Sequence, residues 1–125
     1  MLQPPGLAWP RGCYAPEGSP EGAWRWCASR GELMLENPGS GPTKVRLSTW
    51  LKTGYPKRAT VSFESDVLTG KVAVNSVGTL FEKEVILPPG RHLIRFHTDA
   101  KRIRAPGDPR EMALRFENPH LDRVP

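Results

Sequence analysis

The sequence has no apolar run approaching the roughly 20 residues that a membrane-spanning helix needs, and it shows no apolar residues at helical spacing. Its opening residues, MLQPPGLAWPRG, lack the basic and apolar regions of a secretory signal. We therefore expect neither a membrane span nor an export signal in this chain. The expected location is extracytoplasmic, in the periplasm, if the chain is excised from or associated with an envelope protein, and otherwise cytoplasmic.

Residues that could bind a metal are few, and their spacing is unfavourable. His92 and His97 are five residues apart on one predicted strand, so their side chains point to opposite faces. His120 follows a proline in a predicted loop, and Cys13 and Cys27 form no C-x-x-C element. We expect no metal site and no cofactor.

Sequence signatures of catalysis are also missing. The segment VNSVG around Ser76 lacks the first glycine of a nucleophile elbow, and no strand-turn-helix pattern surrounds it. Pairs of carboxylates such as Glu82 and Glu84, or Glu32 and Glu36, are typical of solvated strand surfaces. A hydrolase would need a deep cleft that holds two carboxyl groups about 5 to 9 Å apart. We therefore expect that the chain is not an enzyme.

The sequence does contain 14 prolines and 12 glycines, which separate short segments of alternating apolar and polar residues. The segment TKVRLSTWLKT is the clearest example. One face of this segment carries Val45, Leu47, Thr49 and Leu51, and the other carries Lys44, Arg46, Ser48, Trp50 and Lys52. Such alternation is typical of half-buried strands in antiparallel sheets.

About nine such segments predict an all-β fold, a single antiparallel β-sandwich of the jelly-roll or Ig-like kind. We expect the sandwich to span residues 12–121, with a Pro-rich N-terminal tail at 1–11 and a C-terminal tail at 122–125. The segment RHLIRFHTD follows Pro88-Pro89-Gly90 directly, so it is predicted to form a hairpin with the strand before it.

Basic and aromatic residues provide the best candidate for a binding surface. The net charge of +5 favours anionic partners, and an exposed indole beside cations can stack on a sugar ring or a base. Trp50 would instead belong to the core if the two faces of its strand were reversed. Nucleic acid is not favoured, because the sequence has no recognition helix and no RNA-binding aromatic motif. The predicted ligand-binding residues are Trp50, Tyr55, Arg46, Lys52 and Arg95.

The order of several segments resembles a β-sandwich module that is appended to bacterial membrane glycosyltransferases and to sulfatase-like or phosphotransferase-like envelope proteins. These segments are YAPEGSPEGAWRW, LPPGRHLIRF and PGDPRE, and they lie between about Gly12 and Leu121. The residues that match the motifs of the module are Tyr14, Glu17, Trp24, Arg25, Trp26, Pro88, Gly90, His92, Asp108, Pro109 and Arg110. The resemblance implies an extracytoplasmic accessory domain beside an enzyme that handles lipid-linked sugars or surface polysaccharide, but it assigns no binding role to these positions.

Two functions are compatible with these observations. The first is a non-catalytic module that binds carbohydrate or another anionic envelope ligand in polysaccharide or lipid-linked sugar metabolism. The second is a structural or protein-interaction domain that packs on a partner catalytic domain or forms a homo-oligomer.

The segment CYAPEGSPEGAWRWC contains both cysteines. If its two arms form a hairpin that turns about Pro20, Cys13 lies opposite Cys27. A disulfide would then be geometrically reasonable in an oxidising compartment, and free thiols would be expected in the cytosol. The same register places Tyr14, Trp24 and Trp26 on one face, opposite Arg25 and the cysteines. We expect the three aromatic residues to be part of the core.

Overall fold

The structure is a computed structural model that describes residues 3–19, 21–103 and 105–125. The predicted all-β class is confirmed: these residues form nine antiparallel strands. None of them forms a helix that could cross a membrane. The strands are β1 (Gly6–Cys13), β2 (Glu17–Ser19), β3 (Gly22–Asn37), β4 (Thr43–Lys52), β5 (Ala59–Glu64), β6 (Gly70–Val74), β7 (Thr79–Leu87), β8 (Gly90–Thr98) and β9 (Leu114–Arg123).

Strand β3 organises the sandwich because its 16 residues contribute to two layers. Residues 24–27 pair with β9, and residues 30–37 pair with β8. We call the layer of β2, the first half of β3, β9, β4 and β7 the front layer. The back layer contains β1, the second half of β3, β8, β5 and β6.

Two aromatic pairs join the layers across the core. Phe63 of β5 stacks on Phe81 of β7, with ring centroids 4.5 Å apart. Phe96 of β8 meets Phe116 of β9 edge to face at 5.4 Å. Buried aliphatic residues from both layers surround these rings. The predicted alternation along β4 is confirmed, since Val45, Leu47, Thr49 and Leu51 are all buried.

The predicted hairpin around Pro88-Pro89-Gly90 is wrong. Strand β8 pairs with β3 and β5 in the back layer, whereas β7 pairs with β4 in the front layer. Neither proline has an N–H to donate to a ladder, and Gly90 adopts a φ of 97°. The chain therefore crosses from one layer to the other at this point instead of folding back on its neighbour.

The chain ends contribute more to the sandwich than their composition indicates. Strand β1 begins at Gly6, inside the predicted tail 1–11, and its Leu7 and Trp9 pack against the core. Strand β9 continues to Arg123, past the predicted boundary at residue 121. The prolines near the N-terminus make β1 hard to recognise in the sequence, because proline weakens a strand prediction without excluding an edge strand.

Cys13 lies opposite Cys27 in the pairing of β1 with β3, and a disulfide joins them. The predicted turn about Pro20 lies outside the described residues. If the pairing of Cys13 with Cys27 continued without a break, Glu17 would lie opposite Ala23. In the structure Glu17 lies opposite Trp24 instead, so the register shifts by one residue between the disulfide and the turn.

The predicted aromatic core beneath this segment is wrong. Cys27 is fully buried, whereas Tyr14, Trp24 and Trp26 are only half-buried. The inward positions of β3 are odd-numbered, as the burial of Cys27, Gly31, Leu33, Leu35 and Asn37 indicates. Because side chains alternate along a strand, Trp24 and Trp26 lie on the outer surface of the front layer.

Candidate functional site

The outer surface of the front layer places tryptophans and charged side chains in two neighbouring rows. In the first row, Glu117 of β9 lies opposite Trp24 of β3 on one side and Trp50 of β4 on the other. In the second row, Arg115 lies opposite Trp26 and Lys52. Residues that are directly opposite on neighbouring strands share one face of the sheet. We call Trp24, Trp26, Trp50, Lys52, Arg115 and Glu117 the tryptophan face.

Arg115 is the central residue of this surface. Its guanidinium carbon lies 4.4 Å from the ring centroid of Trp24 and 5.8 Å from that of Trp26. Glu117 Oε1 lies 2.9 Å from Arg115 Nε and 3.9 Å from Lys52 Nζ. The cation–π contacts and the ion pairs hold the guanidinium between the two indoles, which fixes the rings relative to each other.

The indole of Trp50 rests on the turn between β6 and β7. Its Nε1–H donates to the carbonyl of Val77 at 3.3 Å. A Cβ at Gly78 would lie 2.1 Å from this nitrogen, and Gly78 has a φ of 104°, so glycine is required on both counts. The side chain of Asn75 fixes the turn by accepting the N–H groups of Val77 and Gly78. Trp50 is thereby held in place while 38% of it stays exposed.

A pocket of 240 Å3 opens at the Trp24 end of the tryptophan face. It adjoins a bulge in β9, where Asn118 has a φ of 47° and the pairing with β4 shifts by one residue. The side-chain oxygen of Asn118 accepts the N–H of Ala23 at 3.0 Å. The polar side chains of Ser19, Asn118 and Glu117 line this pocket next to the indole of Trp24. The arrangement offers hydrogen-bonding groups beside an aromatic ring.

Two of the predicted ligand-binding residues, Trp50 and Lys52, belong to the tryptophan face. Arg46 lies on the same side of β4, but it is engaged in ion pairs: its Nη2 is 2.5 Å from Glu84 and its Nε is 3.6 Å from Glu82. The hydrogen bond that Arg46 donates to Glu84 raises the pKa of Arg46, and the same contact lowers the pKa of Glu84.

The other two predicted residues are not brought together with Trp50. Tyr55 is half-buried in the loop after β4, where Lys101 Nζ lies 5.7 Å from its ring centroid. Arg95 lies on β8, on the outer surface of the back layer. The grouping of Arg95 with Trp50 is therefore wrong, because the strand that carries Arg95 crosses to the other layer after Gly90.

Sequence reasoning missed Trp24, Trp26 and Arg115 as members of this surface. The signal that could have identified them is the alternation in GELMLEN, where the apolar Leu33 and Leu35 are odd-numbered. Extending that alternation back along an unbroken strand assigns the even-numbered Trp24 and Trp26 to the outside. In the described parts of the chain, no group of three or more His, Cys, Asp or Glu residues is placed to hold a metal ion.

No family profile and no curated protein matches the chain. Similar solved structures include the C-terminal family 6 carbohydrate-binding module of a laminarinase from Zobellia galactanivorans. It is 8% identical with a TM-score of 0.47, and the match covers 94% of this chain and 99% of that one. A module of lichenase 5A from Cellvibrio mixtus, in complex with cellotriose, is 10% identical with a TM-score of 0.47 and coverages of 98% and 91%.

A family 61 carbohydrate-binding module in complex with beta-1,4-galactotriose is 12% identical with a TM-score of 0.43, and the coverages are 98% and 90%. Identities and TM-scores this low do not identify a function for the chain. These similarities also provide no link to glycosyltransferases or to sulfatase-like proteins.

Proposed function

We propose that the chain is a non-catalytic carbohydrate-binding module whose ligand lies across the tryptophan face. The observation that carries the proposal is that three of the four tryptophans occupy outward positions on a single layer. Tryptophan is a large side chain that stabilises a core when it is buried. Three indoles held on one outer surface are more useful for ligand contact than for stability.

The chemistry of the tryptophan face fits a sugar. A pyranose presents an apolar C–H face that can stack on an indole, and its hydroxyls need hydrogen-bonding partners. Glu117 supplies a carboxylate acceptor directly opposite Trp24 and Trp50. Arg115, directly opposite Trp26, and Lys52, two residues after Trp50 on the same face of β4, supply donors. A few polar groups placed beside aromatic surface are the usual composition of a small-molecule site.

The spacing of the rings favours an oligosaccharide over a single sugar. Trp24 and Trp50 are separated by one intervening strand, β9, so their backbones are about 10 Å apart. A ligand that contacts both indoles must extend across three strands. The surface is an open sheet face, which can accept a chain that continues at either end.

The proposal extends to the setting in which the module acts, an extracytoplasmic one beside an enzyme of envelope polysaccharide or lipid-linked sugar metabolism. The Cys13–Cys27 disulfide supports an oxidising compartment. The resemblance of the sequence to modules on membrane glycosyltransferases supports the enzymatic context.

Binding to a panel of soluble neutral and acidic polysaccharides, measured by affinity electrophoresis and then by calorimetry, tests the proposal. We expect Trp24→Ala and Trp50→Ala each to weaken binding about tenfold, equivalent to about 1.4 kcal/mol. Ile86→Ala is the matched control, because Ile86 is an exposed apolar residue of the same layer outside the two rows. Binding that both tryptophan variants leave intact would overturn the site, and failure to bind any glycan would overturn the function.

A second candidate function, protein interaction, is favoured by strand β7. Within the described residues this strand pairs only with β4, so its other edge is open. Leu80 and Ile86 on its outer side are 55% and 60% exposed, and Val77 in the preceding turn is 74% exposed. Such a strip could pack on a partner catalytic domain or on a second copy. Light scattering over a range of concentrations tests self-association, and Leu80→Lys should abolish it. If the wild-type protein is a monomer at every concentration, the homo-oligomer is excluded.

A further inference from the structure

The outer surface of the back layer carries two rows of polar side chains that differ in charge. The first row crosses β3, β8, β5 and β6 and contains Arg30, His97, Ser62 and Lys71, each directly opposite the next. We call these four residues the donor row. The neighbouring row crosses β1, β3, β8 and β5 and contains Arg11, Glu32, Arg95 and Glu64.

The neighbouring row balances its own charge. Its residues alternate in sign from strand to strand, and Arg11 Nε lies 3.5 Å from Glu32 Oε1. Opposite charges at directly facing positions of a sheet attract each other. Glu32 and Glu64 therefore have cations of their own row on the strands beside them.

The donor row has no such balance. None of its four positions carries a carboxylate, and Arg30 and Lys71 give it two permanent positive charges. Among the described residues, the side chains of Arg30, His97, Ser62 and Lys71 make no ion pair and no hydrogen bond with the protein. All four hold N–H or O–H groups that can donate to an anionic oxygen. These donors remain available for a ligand.

A cavity of 430 Å3 opens over the two rows. Its lining includes Arg30, His97 and Ser62 from the donor row. The charged residues of the neighbouring row form the rest of the polar wall. Lys71 extends the line of donors beyond the cavity to the edge strand β6.

We propose that the donor row is a second binding site, which takes an anionic oxygen group, a sulfate ester or a carboxylate, carried on a polysaccharide. Arg30 binds the anion through its planar fork of N–H groups, and Ser62 and His97 add single hydrogen bonds. Lys71 supplies a flexible charge for the next anionic group along the chain, about 10 to 15 Å from Arg30. The site does not depend on the tryptophan face, which lies on the opposite layer.

Calorimetric titration of the chain with dextran sulfate, carboxymethyl dextran and unmodified dextran at constant ionic strength tests this site. The variant Arg30→Gln/Lys71→Gln should weaken binding of the charged dextrans at least about tenfold, because two charge-assisted contacts are lost. The matched control is Lys57→Gln/Arg58→Gln, which removes two exposed cations outside the row and should change affinity less than about twofold. Binding of only one charged dextran would identify the anion as sulfate or carboxylate.

Equal weakening by the two double variants would overturn the site, since it would mean general attraction to a basic protein. An amide NMR titration with sodium sulfate provides an independent measurement: we expect shifts at Arg30, Ser62 and His97, and shifts confined to other residues would overturn the site. Sodium sulfate carries no sugar, so this titration reports on the donor row whether or not the tryptophan face binds carbohydrate. Shifts at Arg30, Ser62 and His97 in a protein that binds no neutral glycan would uphold this site while the tryptophan face fails.

Discussion

The two outer surfaces of the sandwich follow the same rule of alternation and differ in chemistry. The front layer displays three indoles beside Arg115, Lys52 and Glu117. The two central rows of the back layer display Arg, Lys, Glu, Ser and His side chains and no indole or phenyl ring. The core requires only that every second residue be apolar, so the outward positions are free to carry different side chains on the two layers.

Each surface depends on a different kind of restraint. The indoles of the front layer are fixed by contacts: Arg115 lies between Trp24 and Trp26, and Trp50 rests on the turn at Gly78. The donor row of the back layer is fixed by strand register alone, because its side chains make no such contacts among the described residues. We therefore expect the tryptophan face to be rigid and the donor row to adapt to its ligand.

The substitution with the largest expected effect destabilises the whole sandwich and therefore both outer surfaces. Phe116 packs edge to face on Trp9 at 4.9 Å and on Phe96 at 5.4 Å, so it links β9 to β1 and β8. Phe116→Ala should lower the free energy of unfolding by about 3–5 kcal/mol, a large part of the stability of a domain of this size. Urea unfolding followed by tryptophan fluorescence measures the loss. A loss below about 1 kcal/mol would mean that the layers are not joined at this residue.

Removal of the Cys13–Cys27 disulfide should lower the free energy of unfolding by a smaller amount. Cys27 lies where β3 passes from the front layer to the back layer, and the bridge closes a loop of sequence separation 14. The variant Cys13→Ala/Cys27→Ala should lose about 3 kcal/mol. Reduced wild-type protein is the control and should show a similar loss in denaturant unfolding. If reduction and alkylation left the unfolding midpoint unchanged, the bridge would have no role in stability.

Much of this architecture could be predicted from the sequence, and the exceptions share one physical cause. Alternation is local, so the buried positions of β4 could be assigned from TKVRLSTWLKT alone. Strand pairing is not local, and the Pro88-Pro89-Gly90 segment is equally compatible with a hairpin and with a crossing between layers. That crossing moves Arg95 away from Trp50. Three aromatic residues grouped by a hairpin register predict a core, whereas the odd-numbered buried positions of β3 assign Trp24 and Trp26 to the outer surface.

A substitution at Gly78 should damage the front surface and spare the back one. Gly78→Ala would place a methyl group against Trp50 Nε1 and strain a backbone with a φ of 104°. We expect the indole to leave the turn, with carbohydrate binding about tenfold weaker and a changed fluorescence emission. Gly107→Ala is the matched control, because Gly107 has a φ of 79° with no atom within 4 Å of the added methyl group. Equal effects of the two variants would attribute the loss to backbone strain instead of the ring.

The smallest expected effect is a loss of stability at acid pH, caused by weakening of the ion pairs that Arg110 makes with Asp108 and with Glu17 beside the front layer. Asp108 accepts hydrogen bonds from Arg110, which also binds Glu17 of β2 and lies 5.6 Å from the ring of Tyr14. These hydrogen bonds lower the pKa of Asp108 below its ordinary value of 3.8. A carboxyl whose pKa is lower in the folded state stabilises the fold above its unfolded pKa and loses that contribution as the pH falls through the folded pKa.

Melting temperature should therefore decrease as the pH falls below about 4, and Asp108→Asn should make that decrease shallower. Glu111→Gln is the control, since Glu111 carries an acid on the same segment and pairs with Arg102 instead of Arg110. A melting curve for Asp108→Asn with the pH dependence of the wild type would mean that Arg110 is held by Glu17 alone.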